Sequence, residues 1–173
     1  MRTRIATLVA VLGLLAGCSG GVEGSPVAAE RWDPCSITPE QIAATGLDPE
    51  YRDEGWGKGI EIPDWGRCVF HAPGGTAYPY GLDVTSSEKF TIADARGRDG
   101  NLSVRELQVG GRDAHMYKTE TGKSVRDCSI ALEVSTGVVV FTVVYHTVDG
   151  VDSCQVVLRH VNDLESAIPA GPK

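Results

Sequence analysis

Nineteen residues near the carboxyl end, CSIALEVSTGVVVFTVVYH from Cys128 to His146, constrain the fold more than any other stretch. Ile130, Leu132 and Val134 alternate with Ala131 and Glu133, the two-residue period of a strand with one face in a core. Ser135, Thr136 and Gly137 then turn the chain, and Val138 to Tyr145 is almost entirely β-branched or aromatic. Such a run suits a central strand covered on both faces. A chain that carries it must build a sheet and cover that sheet with further layers.

Other strands are legible around it. WGRCVFHA (65–72) places Cys68 and Phe70 on one face and Arg67, Val69 and His71 on the other. YGLDVTSS (80–87) sets Leu82 and Val84 against Asp83 and Thr85, after the turn-like APGGTAYP. LSVRELQVGGRDAHMYKT (102–119) reads as two strands joined at Gly110-Gly111. In DPCSITPEQIAATGLDP (33–49), Thr38 is an N-cap, Pro39 suits the first helical position, Gln41 closes a capping box, and Gly46 ends the helix. SSEKFTIADARG (86–97) predicts a second helix, begun by a serine cap and stopped at Gly97.

The last helix spans 152–169. Asp152 or Ser153 caps it, Val157, Val161, Leu164 and Ile168 form an apolar stripe, and Pro169 ends it. EGWGKGIEIP, with glycines at 55, 57 and 59, reads as an exposed loop, since no strand precedes its G-x-G-x-G and no helix opens after it. The expected fold class is α+β. It has an antiparallel sheet of about five or six strands, a short N-terminal helix, a C-terminal amphipathic helix and two disulfides.

The amino terminus speaks to location. Arg2 and Arg4 precede an uncharged run from Ile5 to Leu15, too short to cross a bilayer but right for an export signal. The run ends Leu15-Ala16-Gly17-Cys18, which looks like the site where a bacterial signal peptide is removed and the cysteine acylated with palmitate-type chains. The expected organisation is a signal peptide at 1–17, a Gly/Ser/Ala/Pro-rich tether at 18–31 starting from lipidated Cys18, and a single domain at 32–173. Without the leader, 14 basic residues face 23 acidic ones, a net −9. That balance argues against nucleic acid and against electrostatic docking on anionic lipid.

With Cys18 set aside, Cys35, Cys68, Cys128 and Cys154 remain, an even count in an exported chain. Three connectivities are open. The local pairing, Cys35–Cys68 and Cys128–Cys154, is the expected one, each bond stabilising by about 3–4 kcal/mol. Spacings of 33, 60 and 26 positions and no C-x-x-C argue against zinc or a redox pair.

Candidate chemistry is thin. His71 and His115 fall on the polar alternation of strands, His146 ends one, and His160, next to the apolar stripe and beside Arg159, is expected at the surface or its boundary. None stands in an H-x-x-x-H pair. Ser86-Ser87-Glu88-Lys89 matches a bare S-x-x-K but lacks its companion motifs, so Ser86 reads as a capping serine. Asp48/Glu50 and Asp53/Glu54 read as solvated loop acids, and Trp32, Trp56 and Trp65 as core filler, with a binding surface near the loops as the alternative.

DPCSITPEQIAATGL, GRCVF, VGGRDAHMY, CSIALEV and DSCQVVLRHVNDLESAIP together resemble a family of actinobacterial cell-envelope lipoproteins of unknown function, over residues 33 to about 169. The chain departs from that pattern after Cys68, where Val69 rather than an aromatic follows. The resemblance implies an envelope lipoprotein and supplies no catalytic residues. The reading is therefore a lipoprotein anchored to the cell membrane through Cys18, on the extracytoplasmic face. It acts as a ligand- or protein-binding module, not an enzyme, without metal or cofactor. Its partners are the membrane and an unidentified small molecule or envelope protein, not nucleic acid. The alternative is an enzyme with an unrecognised site near His71 and His115.

Overall fold

The computed structural model describes residues 31–119, 127–146 and 150–172. The segments expected to be a signal peptide and a tether, with Cys18, lie outside the described residues up to residue 30. Seven strands form one antiparallel sheet in the order β1-β2-β3-β7-β6-β5-β4. They are β1 (Arg52–Glu54), β2 (Gly66–His71), β3 (Tyr80–Ser87), β4 (Leu102–Val109), β5 (Arg112–Lys118), β6 (Asp127–Val134) and β7 (Gly137–Tyr145). Two meanders, β1–β3 and β4–β7, meet where β3 pairs β7 from Tyr80↔Tyr145 to Ser87↔Val138. The all-apolar run is thus a central strand, as its composition requires.

The strand count exceeds the expected five or six by β1. Its three residues, Arg-Asp-Glu, are all exposed and carry no apolar period, so nothing in the local pattern announces a strand. It forms because the 55–65 loop folds back and Arg52, Asp53 and Glu54 pair with Phe70, Val69 and Cys68.

One face of the sheet is the main core. Phe70, Leu82, Val84, Ile130, Leu132, Val139, Phe141 and Val143 pack beneath α3 (Ser153–Asp163) and α1 (Pro39–Ala44). In α3, Val157 and Val161 of the stripe are buried, Leu164 and Ile168 continue it, and Asp152 is the cap. The helix stops at Asp163, short of the expected 169, and a 3-10 turn at Glu165–Ala167 follows. The Cys128–Cys154 bond ties β6 to α3, and Cys35–Cys68 ties the segment before α1 to β2. In α1 the Thr38–Gln41 capping box is formed on both sides, and Gly46 takes φ +81°.

The second face is covered differently. The expected helix at 86–97 is shorter: Ser86 and Ser87 belong to β3, and α2 runs Ile92–Arg96 with Thr91 as its cap. Ser87 caps the intervening turn, its Oγ accepting from the backbone N–H of Lys89 and Phe90. Phe90, Ala95 and Trp65 then cover Tyr117, Ala131, Val138 and Val140. Trp65 stacks on Phe90 at 5.2 Å, Trp32 packs on the main core, and Trp56 lies over the Arg67 guanidinium at 5.0 Å. Among the described residues, no helix is long and apolar enough to cross a membrane.

Candidate functional site

The histidines fall in three environments, His71 and His146 sharing the Tyr78 ring and His115 and His160 each standing apart. His71 on β2 and His115 on β5 both point to the second face and are only 2% exposed, although their alternation reads as solvent-facing. Each is buried against a carboxylate from an edge strand. His71 Nε2 lies 2.9 Å from Asp53 Oδ2 of β1, and His115 Nδ1 lies 2.6 Å from Glu106 Oε1 of β4. Asp53 is therefore a strand residue with a histidine partner rather than a loop acid, and its side chain stays solvated. Tyr51 stacks on the His71 ring at 4.4 Å, and the Tyr78 ring lies tilted against it at 4.2 Å. Strands β3, β7 and β6 separate the two histidines, roughly 19 Å across the sheet, so they do not form one site.

His160 corrects a second expectation: its ring is wholly buried. It lies four residues after Val156 and three after Val157, on the same helix face, and that face meets β3. Its Nε2 is 2.8 Å from the Tyr80 hydroxyl. Burial, with a smaller push from Arg159, lowers its pKa from 6.5 to about 4. His146 sits exposed at the end of β7, with the Tyr78 ring edge-on at 5.2 Å. Ser86 donates to the Trp32 carbonyl and Lys89 bonds Asp64, so the S-x-x-K pair never meets. Among the described residues, no three His, Cys, Asp or Glu side chains gather to hold a metal ion.

Arg67 and Asp83 meet on the second face, at 2.8 Å between Nε and Oδ2. Burial raises the Asp83 pKa against the pull of that arginine, and its Oδ1 is buried without a hydrogen-bond partner.

A cleft of about 560 Å³ opens where the β4–β5 turn meets the C-terminal segment, lined by Gly110–Asp113, Glu133, Glu165 and residues 170–172. Gly110 and Gly111, at φ +57° and +77°, make the tight turn that joins the strands. Gly110 has a second reason to be glycine, because a Cβ there would collide with the Glu165 carboxylate. Arg112 holds the far wall. Its Nη1 donates to the Pro169 carbonyl at 2.6 Å and its Nη2 to Glu165 Oε1 at 2.5 Å. Ser135 N–H donates to the Ala170 carbonyl at 2.8 Å, which completes the clamp on the C-terminal segment.

The charge inside the cleft follows from those bonds. Arg112 is taken up by Glu165, which leaves Asp113 and Glu133 as the remaining lining charges, both within the field of Arg96. Asp113 Oδ1 accepts from Gln108 Nε2 at 2.5 Å. Arg96 approaches from outside the lining, bonds Glu106 at 2.7 Å and stands 3.9 Å from Asp113. An open, polar, net-negative cleft suits a hydrated ligand with a cationic group better than an acyl chain.

The reading of single motifs did not find this cleft. Its turn was legible as a hairpin, but Glu133 and Glu165 arrive from 20 and more residues downstream.

Residues 13–167 match the family model described as a protein of unknown function (DUF3558). The chain belongs to the DUF3558 family. Among curated proteins and among solved structures, none matches it. The family match spans every described strand and all three α-helices, so both the cleft's turn and its Glu165 wall lie within the DUF3558 region.

Proposed function

We propose that this DUF3558 chain is a lipid-anchored, extracytoplasmic binding module, and that its ligand site is the cleft at the Gly110-Gly111 turn. The anchor is supported by the basic leader, the short apolar run and the Leu15-Ala16-Gly17-Cys18 ending. The binding role is carried by one observation, a preformed polar cleft whose turn and C-terminal wall are clamped by Arg112. Its excess of carboxylate selects a small hydroxylated molecule bearing an amine.

A second reading, catalysis near His71 or His115, draws on their carboxylate pairs and on the buried, unpartnered ring nitrogens Nδ1 of His71 and Nε2 of His115. One titration separates the two. Amide and imidazole NMR signals are followed while amino sugars, diamino acids and, as the control, a fatty acid are added. The binding reading expects shifts at Gly110, Gly111 and Gly171 with the amines alone, lost in Asp113→Asn/Glu133→Gln. Shifts confined to His71 or His115 would transfer the function there, and shifts with the fatty acid alone would refute a polar site.

A further inference from the structure

The loop between β1 and β2 exposes two isoleucines, Ile60 at 55% and Ile62 at 40%. Isolated exposed apolar residues are ordinary. These two are neither isolated nor loosely held. Residues 60–62 form no helix or turn and are all exposed, so both isoleucines reach solvent within one three-residue tip.

The loop is fastened at several points. Gly55 N–H donates to the Arg67 carbonyl, Ile60 N–H to the Gly57 carbonyl and Trp65 N–H to the Ile62 carbonyl. Gly55, Gly57 and Gly59 all have positive φ, conformations that hold the tip in its curve. Trp56 is committed to Arg67 and Trp65 to Phe90, so the aromatics brace the loop and the isoleucines are what it presents.

The same corner is where the chain enters the domain. Arg31 lies so near Gly66 that a Cβ there would stand 2.9 Å from its Nε, and Ile62 precedes Gly66 by four residues through one turn. Just beyond, the Trp32 carbonyl is held by Ser86, and the Cys35–Cys68 bond fixes the segment to β2. From Cys18 to Arg31 the chain can span at most about 45 Å. Lipid on Cys18 therefore holds this corner, where the chain enters the domain, within about 45 Å of the bilayer. The other exposed large apolar residues lie toward the opposite end of the sheet: Tyr51 just before β1, Leu102 and Val104 on β4, Val144 on β7 and Val151 before α3.

Resting on the anchor reading above, we infer that the Ile60–Ile62 tip inserts into the lipid interface and orients the domain on the membrane. Its charges give no electrostatic pull. Glu54 is paired with Arg52 and Asp64 with Lys89, and on the tip Glu61 balances Lys58, so the loop carries no net basic charge. Contact is thus apolar and shallow, within the roughly 5–10 Å that interfacial segments reach, and insensitive to salt.

The test uses the mature chain in phosphatidylcholine vesicles containing brominated lipid, with Ile60→Trp, Ile62→Trp and, at the far end, Leu102→Trp. The increment in tryptophan quenching over the parent protein should be at least about twofold larger at 60 and 62 than at 102. It should be unchanged by added salt or by phosphatidylglycerol. Equal increments at all three sites, or none at 60 and 62, would overturn the inference. In Ile60→Asp/Ile62→Asp, vesicle-dependent protection of amides 57–64 from hydrogen exchange should disappear; protection that persists would also overturn it. Mass spectrometry of the mature chain judges the anchor separately. If Cys18 carries no lipid, that reading fails, and coupling Cys18 to a maleimide lipid still decides whether the loop inserts.

Discussion

On the α3 side of the sheet, His160 shares its Nε2 with the Tyr80 hydroxyl, whereas on the α2 side His71 and His115 each face a carboxylate. The α3 side is a sealed apolar layer, and its histidine has only a neutral phenol to bond, so burial keeps the ring uncharged. On the α2 side the partners come from the two edge strands, Asp53 from β1 and Glu106 from β4, with side chains 59% and 54% exposed. Each margin of the sheet thus clasps a buried ring with a carboxylate that still touches water. One face is stabilised by exclusion of solvent and the other by polar pairs at its rim.

The largest test of that contrast removes apolar volume from the sealed side. Phe141→Ala, at a wholly buried position, should lower stability by about 3–5 kcal/mol in urea unfolding. A loss under about 1 kcal/mol would mean that the α3 layer is not closely packed.

Next comes acid. The unfolded His160 binds a proton near pH 6.5 and the native one only near pH 4, so its contribution is complete above pH 6.5 and is lost as pH falls from 6.5 towards 4. On the order of 2–3 kcal/mol should go in that window. The pH dependence of His160→Gln should be flatter there, and a variant with the same slope would show that another group is responsible.

The smallest effect belongs to the rim. Arg96, and less so His115, hold the Glu106 carboxyl below its usual range, but that group is mostly solvated. Glu106→Gln should cost about 1 kcal/mol or less at pH 7. A loss matching Phe141→Ala would erase the distinction between the faces.

What the sequence revealed follows the same division. The α3 side was legible because burial there obeys simple periods: alternation in β6, the stripe Val157–Val161–Leu164 in α3, and cysteines placed to staple the two. Capping chemistry also located α1. On the α2 side the apolar period runs out, and polarity was mistaken for exposure. His115 was the recoverable case. The Gly110-Gly111 turn sets Val109 opposite Arg112 and hence Glu106 opposite His115, so a register argument would have found the pair. Asp53 was not recoverable in that way, because the long 55–65 loop imposes no register on β1. The α2 boundary shifted for a related reason: Thr91–Asp94 forms a better capping box than Ser86 or Ser87, which the sheet had already taken.

The clamp on the carboxyl-terminal segment has a practical consequence. Pro169 and Ala170 are held by Arg112 and Ser135, and residues 170–172 wall the cleft, so anything fused to the carboxyl end emerges at its mouth. Under the proposed binding role, an affinity handle or fluorescent partner placed there would compete with a ligand for the same opening, and reporters for binding belong elsewhere on the surface. Proteolytic trimming of residues 170–172 would strip one side from the cleft without touching the sheet.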